Sequence, residues 1–199
     1  MRISASFDFL LSLVLIFYSN SFEYAVIFLL SAFIHEVGHM TLLVHLKVKK
    51  PELHLGLLGA DISADMSRLG YRAEMAVYLG GAFFNLIFVL LSVLLIRYSF
   101  NEIYVFFCFS NLFYALFNLL PIRMLDGGRA LECFFMTVSD NPWRAEKISW
   151  YISCVFSFAL CVLSVWLTFS FGINITLILV ILWALYQCIP SKPCCLKTS

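Results

Sequence analysis

Residues Tyr24 to Leu46 form an apolar run that contains His35-Glu36-Val37-Gly38-His39. A membrane span takes about 20 apolar residues, so the run is long enough to cross a bilayer. On a helix His35 and His39 stand four residues apart on one face, the spacing for two imidazoles on one zinc ion. Glu36 sits beside the first ligand, placed to take a proton from water held at the ion. Charged residues at the centre of a span cost roughly 2.5–3.5 kcal/mol each on translocon scales, so such a cluster is read first as functional. Its flanks, Leu29, Leu30, Ala32, Phe33, Ile34, Met40, Leu42 and Leu43, leave the histidines no solvated face.

The rest of the chain sustains that setting. Of 199 residues, 62% are hydrophobic and 13% charged, which excludes an ordinary soluble domain. The net charge of +1 gives no electrostatic case for nucleic acid. Seven cysteines make no disulfide framework. Cys108, Cys133, Cys154, Cys161 and Cys188 are scattered through apolar segments without a C-x-x-C pair, and Cys194 and Cys195 read as free thiols on a reducing face.

Hydropathy predicts an all-α membrane protein of about six transmembrane helices: Ser4–Tyr18, Tyr24–Leu46, Ala73–Ile96, Ile103–Leu120, Ile148–Phe169 and Ile175–Ile189. Leu53 to Met66 is too broken for a span. Its alternating Leu53, Leu55 and Leu57 predict a short interfacial strand or β-hairpin after the second helix. Pro121 interrupts the fourth span, Asp126-Gly127-Gly128 follows the break, and Arg129–Val138 resumes as helix. Asp140-Asn141-Pro142 marks a turn and a helix start. No repeat or soluble insertion divides the chain, so residues 1–199 are expected to form one integral-membrane domain. Placing both termini in the cytoplasm puts twelve of the thirteen basic residues inside and only Arg97 outside, as the positive-inside rule requires. His35, Glu36 and His39 then lie in the cytoplasmic half of the second span.

A catalytic zinc keeps three protein ligands and an open position. The candidates for the third are His45, His54, Asp61, Asp65 and Asp126. Asp126 is the choice, because irregular backbone at membrane depth is tolerated only where it lines a cavity or water. A carboxylate beside such a break has reason to face inward; it also suits a helix N-cap. Asn85 and Asn118 lie in apolar segments, where an amide either bonds a neighbouring helix or reaches a substrate carbonyl. Gly80 and Gly81 suit close helix packing.

Together these residues resemble the site-2 protease family of intramembrane zinc metalloproteases. The family's H-E-x-x-H appears as His35-Glu36-Val37-Gly38-His39. Its Asn…Pro…Leu-Asp-Gly-Gly segment appears from Asn118 through Pro121 to Leu125-Asp126-Gly127-Gly128. Its Gly-Pro-x-x-Asn pattern appears as Gly81-Ala82-Phe83-Phe84-Asn85, with Ala82 in place of proline. The resemblance implies one Zn2+ per chain on His35, His39 and Asp126, Glu36 as general base, and Asn118, ahead of Asn85, steadying the substrate carbonyl. It implies a multi-pass protein of a bacterial plasma membrane that hydrolyses a membrane-embedded or membrane-tethered protein, with pro-protein or pro-sigma-factor processing as one use and a membrane regulator as a further partner. Within the family the chain looks like the compact sporulation factor IVB-type branch, with Gly59-Ala60-Asp61-Ile62 in the hairpin and neither a PDZ nor a CBS domain. A different reading of the residues is a metal-binding membrane protein without protease activity, a transporter or pseudoprotease. The intact Glu36, and the lack of ligand residues in the last two spans, speak against it.

Overall fold

The computed structural model describes residues 2–5, 22–48, 52–56, 59–63, 66, 68–171, 182 and 185. They divide into two compact units, one within Met1–Asn118 and one within Leu119–Ser199.

The first unit holds three strands, β1 (Arg2–Ala5), β2 (Glu52–Gly56) and β3 (Gly59–Ser63), and three helices, α1 (Phe22–His45), α2 (Tyr71–Tyr98) and α3 (Glu102–Asn118). β2 is the middle strand. It pairs parallel with β1, Arg2 opposite Glu52, and antiparallel with β3, Leu53 opposite Ile62 and Gly56 opposite Gly59. β3 also lies against α1.

The three helices pack on one another, and their faces invert the pattern of a soluble bundle. Outward-facing positions are apolar, with Phe33, Phe83, Leu90, Leu94 and Phe109 all more than 60% exposed. Inward positions carry Ser31, His35, His39, Asn85, Ser92 and Asn111. Apolar surface facing out and polar groups facing in is what a hydrocarbon solvent selects. Aromatic contacts fill the gaps, Tyr24 on Phe106 at 4.6 Å and Phe28 on Tyr114 at 4.9 Å between centroids. α1 and α2 meet backbone to backbone. A Cβ at Gly38 would run into the carbonyl of Gly80, so the close crossing depends on small residues on both helices.

α1 ends in a hydrogen-bonded reversal. Val48 N–H donates to Leu43 O and Lys47 N–H to Val44 O, both at 3.0 Å, with Lys47 at φ 55°. This is the pattern of a helix stop that favours glycine at the left-handed position. Lys47→Gly should therefore stabilise the protein by about 1 kcal/mol. Unfolding titration in detergent would read it, and an unchanged or lowered midpoint would contradict the strain.

The second unit begins with the irregular segment 119–125 and continues with α4 (Asp126–Val138) and α5 (Pro142–Phe171), which pack together. α5 starts where the turn signal places it. Pro142 occupies the first helical position, and Asn141 Oδ1 accepts from the N–H groups of Trp143 (3.0 Å) and Arg144 (3.4 Å). Its buried side is a ladder of small residues four apart, Ala145, Ser149, Ser153, Ser157 and Cys161.

Three differences from the sequence expectations have physical causes. First, of the four expected spans that fall on described residues, three are long and apolar enough to cross a membrane: α1, α2 and α5. α3, at 17 residues, spans about 25 Å at 1.5 Å per residue, short of the roughly 30 Å hydrocarbon layer. Second, Ser4 and Ala5 belong to β1 rather than to a first span, because β2 supplies their hydrogen-bond partners. The rest of Ser4–Tyr18 lies outside the described residues, as does Ile175–Ile189 apart from the helical Leu182 and Leu185. Third, α4 starts at Asp126, three residues before the expected Arg129. Its cap is Leu125, which accepts from the N–H groups of Gly128 and Arg129 at 3.1 Å, so Asp126 is the first helical residue and not the cap. A Cβ at Gly127 would strike the carbonyl of Leu119 and one at Gly128 that of Ile122; the missing side chains let the helix begin tucked under its own loop.

Candidate metal centre

Four residues of separation on α1 bring the rings of His35 and His39 together, with their Nε2 atoms 3.2 Å apart. Both rings are buried, at 4% and 6% exposure. Each uses its other nitrogen to hold itself. His39 Nδ1 lies 2.8 Å from the carbonyl oxygen of Val77 on α2. A carbonyl only accepts, so this nitrogen carries the proton and Nε2 is left with a lone pair. His35 Nδ1 lies 2.7 Å from Asn85 Oδ1, also on α2, and donates to it.

Two lone pairs facing each other at this distance repel unless a proton or a cation lies between them. Tetrahedral zinc with Zn–N bonds of about 2.0–2.1 Å sets two ligand nitrogens about 3.3–3.4 Å apart. The observed 3.2 Å is close to that chord. A Cβ on Gly81 would lie 2.5 Å from His39 Nε2 and 2.6 Å from both Cε1 and Nε2 of His35, so the missing side chain makes room for the two rings. The two imidazoles thus fit a zinc ion in tautomer and separation.

Glu36, half-buried, follows His35 directly and points about 100° further round α1. Asp126 opens α4 in the second unit, half-buried, where the positive end of the helix dipole favours a carboxylate. Within the first unit, His35 and His39 supply two of the ligands a metal ion would need. Of the other candidates, His45 is exposed at the end of α1. The side chains of His54, Asp61 and Asp65 are outside the described part of the chain.

The two amides occupy different places. Asn85, 0% exposed, has each of its polar atoms engaged inside the first unit: Oδ1 accepts from His35, and Nδ2 donates to Ser31 O and Asn111 Oδ1. Asn118, the last residue of α3, donates from Nδ2 to the carbonyl of Tyr114 at 3.1 Å. Sequence reading passed over Gly81 as the position that makes room for the two rings, the Val77 carbonyl, Asn111, and Tyr114, whose ring stands 6.3 Å from that of His35. Only a buried amide at Asn111 hinted at this, and it resembles any other polar residue in an apolar span.

Comparison with known proteins follows the same line. The model of peptidase family M50 matches residues 95–160, a third of the chain that takes in Asn118 and Asp126. Among solved structures, a site-2 protease from Methanocaldococcus jannaschii matches with a TM-score of 0.67 at 20% identity, over 96% of this chain and 92% of that one. No curated protein matches. The resemblance to the site-2 proteases, read from three sequence motifs, therefore holds in the family model and in the fold.

Proposed function

We propose that this chain is an intramembrane zinc metalloprotease that hydrolyses a peptide bond in a membrane-embedded or membrane-tethered protein. The observation that carries the reading is the His35–His39 pair, its Nδ1 atoms turned away as donors and its Nε2 atoms facing each other 3.2 Å apart in a packing that Gly81 permits. The M50 match and the shared fold support it.

In this reading His35, His39 and Asp126 hold the ion. When bound, zinc supplies a Lewis acid and brings the pKa of its water down toward about 7. Glu36 takes the proton from the attacking water on its carboxylate and passes it to the leaving amine. Asn118 steadies the substrate carbonyl. Asn85 works one step back, holding His35 rather than touching substrate. A helical substrate has its carbonyls bonded internally and must unwind before attack; an edge of the sheet, β1 or β3, offers an extended segment a place to pair. The cytoplasmic placement of both termini follows from the basic residues, and the sporulation factor IVB-type affinity from the hairpin sequence.

Purified full-length protein should contain one zinc per chain, and His39→Ala should remove it. A panel of single-span peptides in proteoliposomes should be cut, with cleavage lost to a chelator and restored by Zn2+. Bound zinc with no cleavage of any peptide, and zinc entering the vesicles instead, would replace the protease reading by transport.

A further inference from the structure

The amide that holds His35 is itself held. Asn85 Nδ2 donates to the backbone carbonyl of Ser31 at 3.0 Å and to Asn111 Oδ1 at 2.9 Å. Asn111 Nδ2 donates to the carbonyl of Phe107 at 2.9 Å and to the hydroxyl of Ser31 at 3.1 Å. That hydroxyl donates in turn to the carbonyl of Ile27 at 3.1 Å. Ser31, Asn85 and Asn111 are all 0% exposed, so no water competes for these bonds.

The direction of every bond is fixed, because backbone carbonyls cannot donate. Ile27 O takes the hydrogen of Ser31, so Ser31 Oγ must accept from Asn111. Phe107 O takes the second hydrogen of that amide, so Asn111 turns Oδ1 toward Asn85. Asn85 then meets two acceptors, Asn111 Oδ1 and Ser31 O, and turns Nδ2 to them. Its Oδ1 is left for His35. His35 must therefore carry its proton on Nδ1 and present a lone pair at Nε2, beside His39 and Gly81. Three carbonyls on α1 and α3 thus set the tautomer of a ring through two amides.

We propose that Asn111, supported by Ser31, is a positioning residue for His35, fixing through Asn85 which ring nitrogen faces the ion. This rests on the zinc reading above. Without the acceptor at position 111, Asn85 loses one of the two contacts that orient it. In the turned amide Nδ2 faces His35 Nδ1, the ring proton moves to Nε2, and the lone pair points away from the pocket. Partners of metal-ligating histidines typically contribute a factor of about 10–100 in metal affinity.

The test measures zinc affinity by chelator competition on the full chain in detergent, with Co2+ absorption as a second readout of ligand geometry. Asn111→Leu keeps the volume and removes the acceptor. It should bind zinc about 10- to 100-fold more weakly and alter the Co2+ spectrum. A carboxylate at position 85 accepts from His35 with either oxygen, so Asn85→Asp should remove most of the effect of Asn111→Leu when the two are combined. A purely structural role would instead give the same loss in both backgrounds, and that outcome overturns the proposal. So does wild-type affinity in Asn111→Leu. If Asn111→Leu does not fold, Ser31→Ala decides: a smaller loss of affinity is expected, and none refutes the role. Wild-type zinc that His39→Ala removes, with Asn111→Leu unaffected, defeats the positioning role alone. Absence of zinc from the wild type defeats the zinc reading itself.

Discussion

Gly81→Ala should empty the metal site without removing any proposed ligand. The added methyl would stand 2.5 Å from His39 Nε2 and 2.6 Å from both Cε1 and Nε2 of His35, against the rings themselves, and would force them off the 3.2 Å separation that suits a shared ion. Neither ring can move without giving up its partner, Val77 O for His39 and Asn85 for His35. Zinc content should fall from one per chain to near none, and cleavage with it. Alanine exceeds glycine in helix propensity by about 1 kcal/mol, which offsets part of the strain this clash puts on the packing of α1 and α2. The neighbouring glycine provides the control. A Cβ at Gly80 meets Leu42 Cδ1 at 2.6 Å, the movable end of a side chain, and Gly38 O at 3.0 Å. Gly80→Ala should therefore strain the crossing of α1 and α2 and still bind zinc. Metal analysis of the two variants side by side decides the matter; full zinc in Gly81→Ala would show that the placing of the two rings does not depend on this glycine.

Glu36→Gln should separate binding from chemistry. The amide is nearly the same size and lies outside the proposed ligand set, so zinc content should stay at the wild-type level. It cannot take a proton at neutral pH, and losing a general base typically lowers a rate by about 10²–10⁴-fold. Cleavage of a single-span peptide should drop by that factor with little change in the amount of zinc bound. Co-expression with candidate membrane proteins gives the cellular counterpart, in which uncut substrate accumulates beside Glu36→Gln and not beside the wild type. Robust cleavage by this variant would remove Glu36 from the mechanism.

Much of the scaffold could be read in one dimension because it is encoded locally. Hydropathy is a sum over neighbours, so it located α1, α2 and α5 to within a few residues, except that α5 begins six residues ahead of the expected span. Pro121 has no N–H to give, and the chain breaks there; Asn141-Pro142 caps and starts a helix by side chains within reach of the same turn. The start of α4 was missed by three residues because it depends on where the loop backbone passes over Gly127 and Gly128. A contact of that kind leaves no mark in hydrophobic period. Asn85, an amide that either bonds a neighbouring helix or reaches substrate, is engaged with His35, fifty residues away in sequence. Nothing in its flanks distinguishes an amide that faces a ligand from one that supports it.

What the sequence by itself determined is the identity and spacing of the chemistry: two imidazoles four residues apart with a carboxylate between them, in an apolar run, and a second carboxylate after a broken helix. Helical periodicity is sufficient for that, since residues i and i+4 share a face in any helix. The tertiary structure alone decided which nitrogen of each ring carries the proton, and how closely the two rings approach. Those properties depend on a carbonyl of α2, two amides on different helices and a missing Cβ. Hydrogen bonds are directional and reach about 3 Å, so they exist only once the helices have packed.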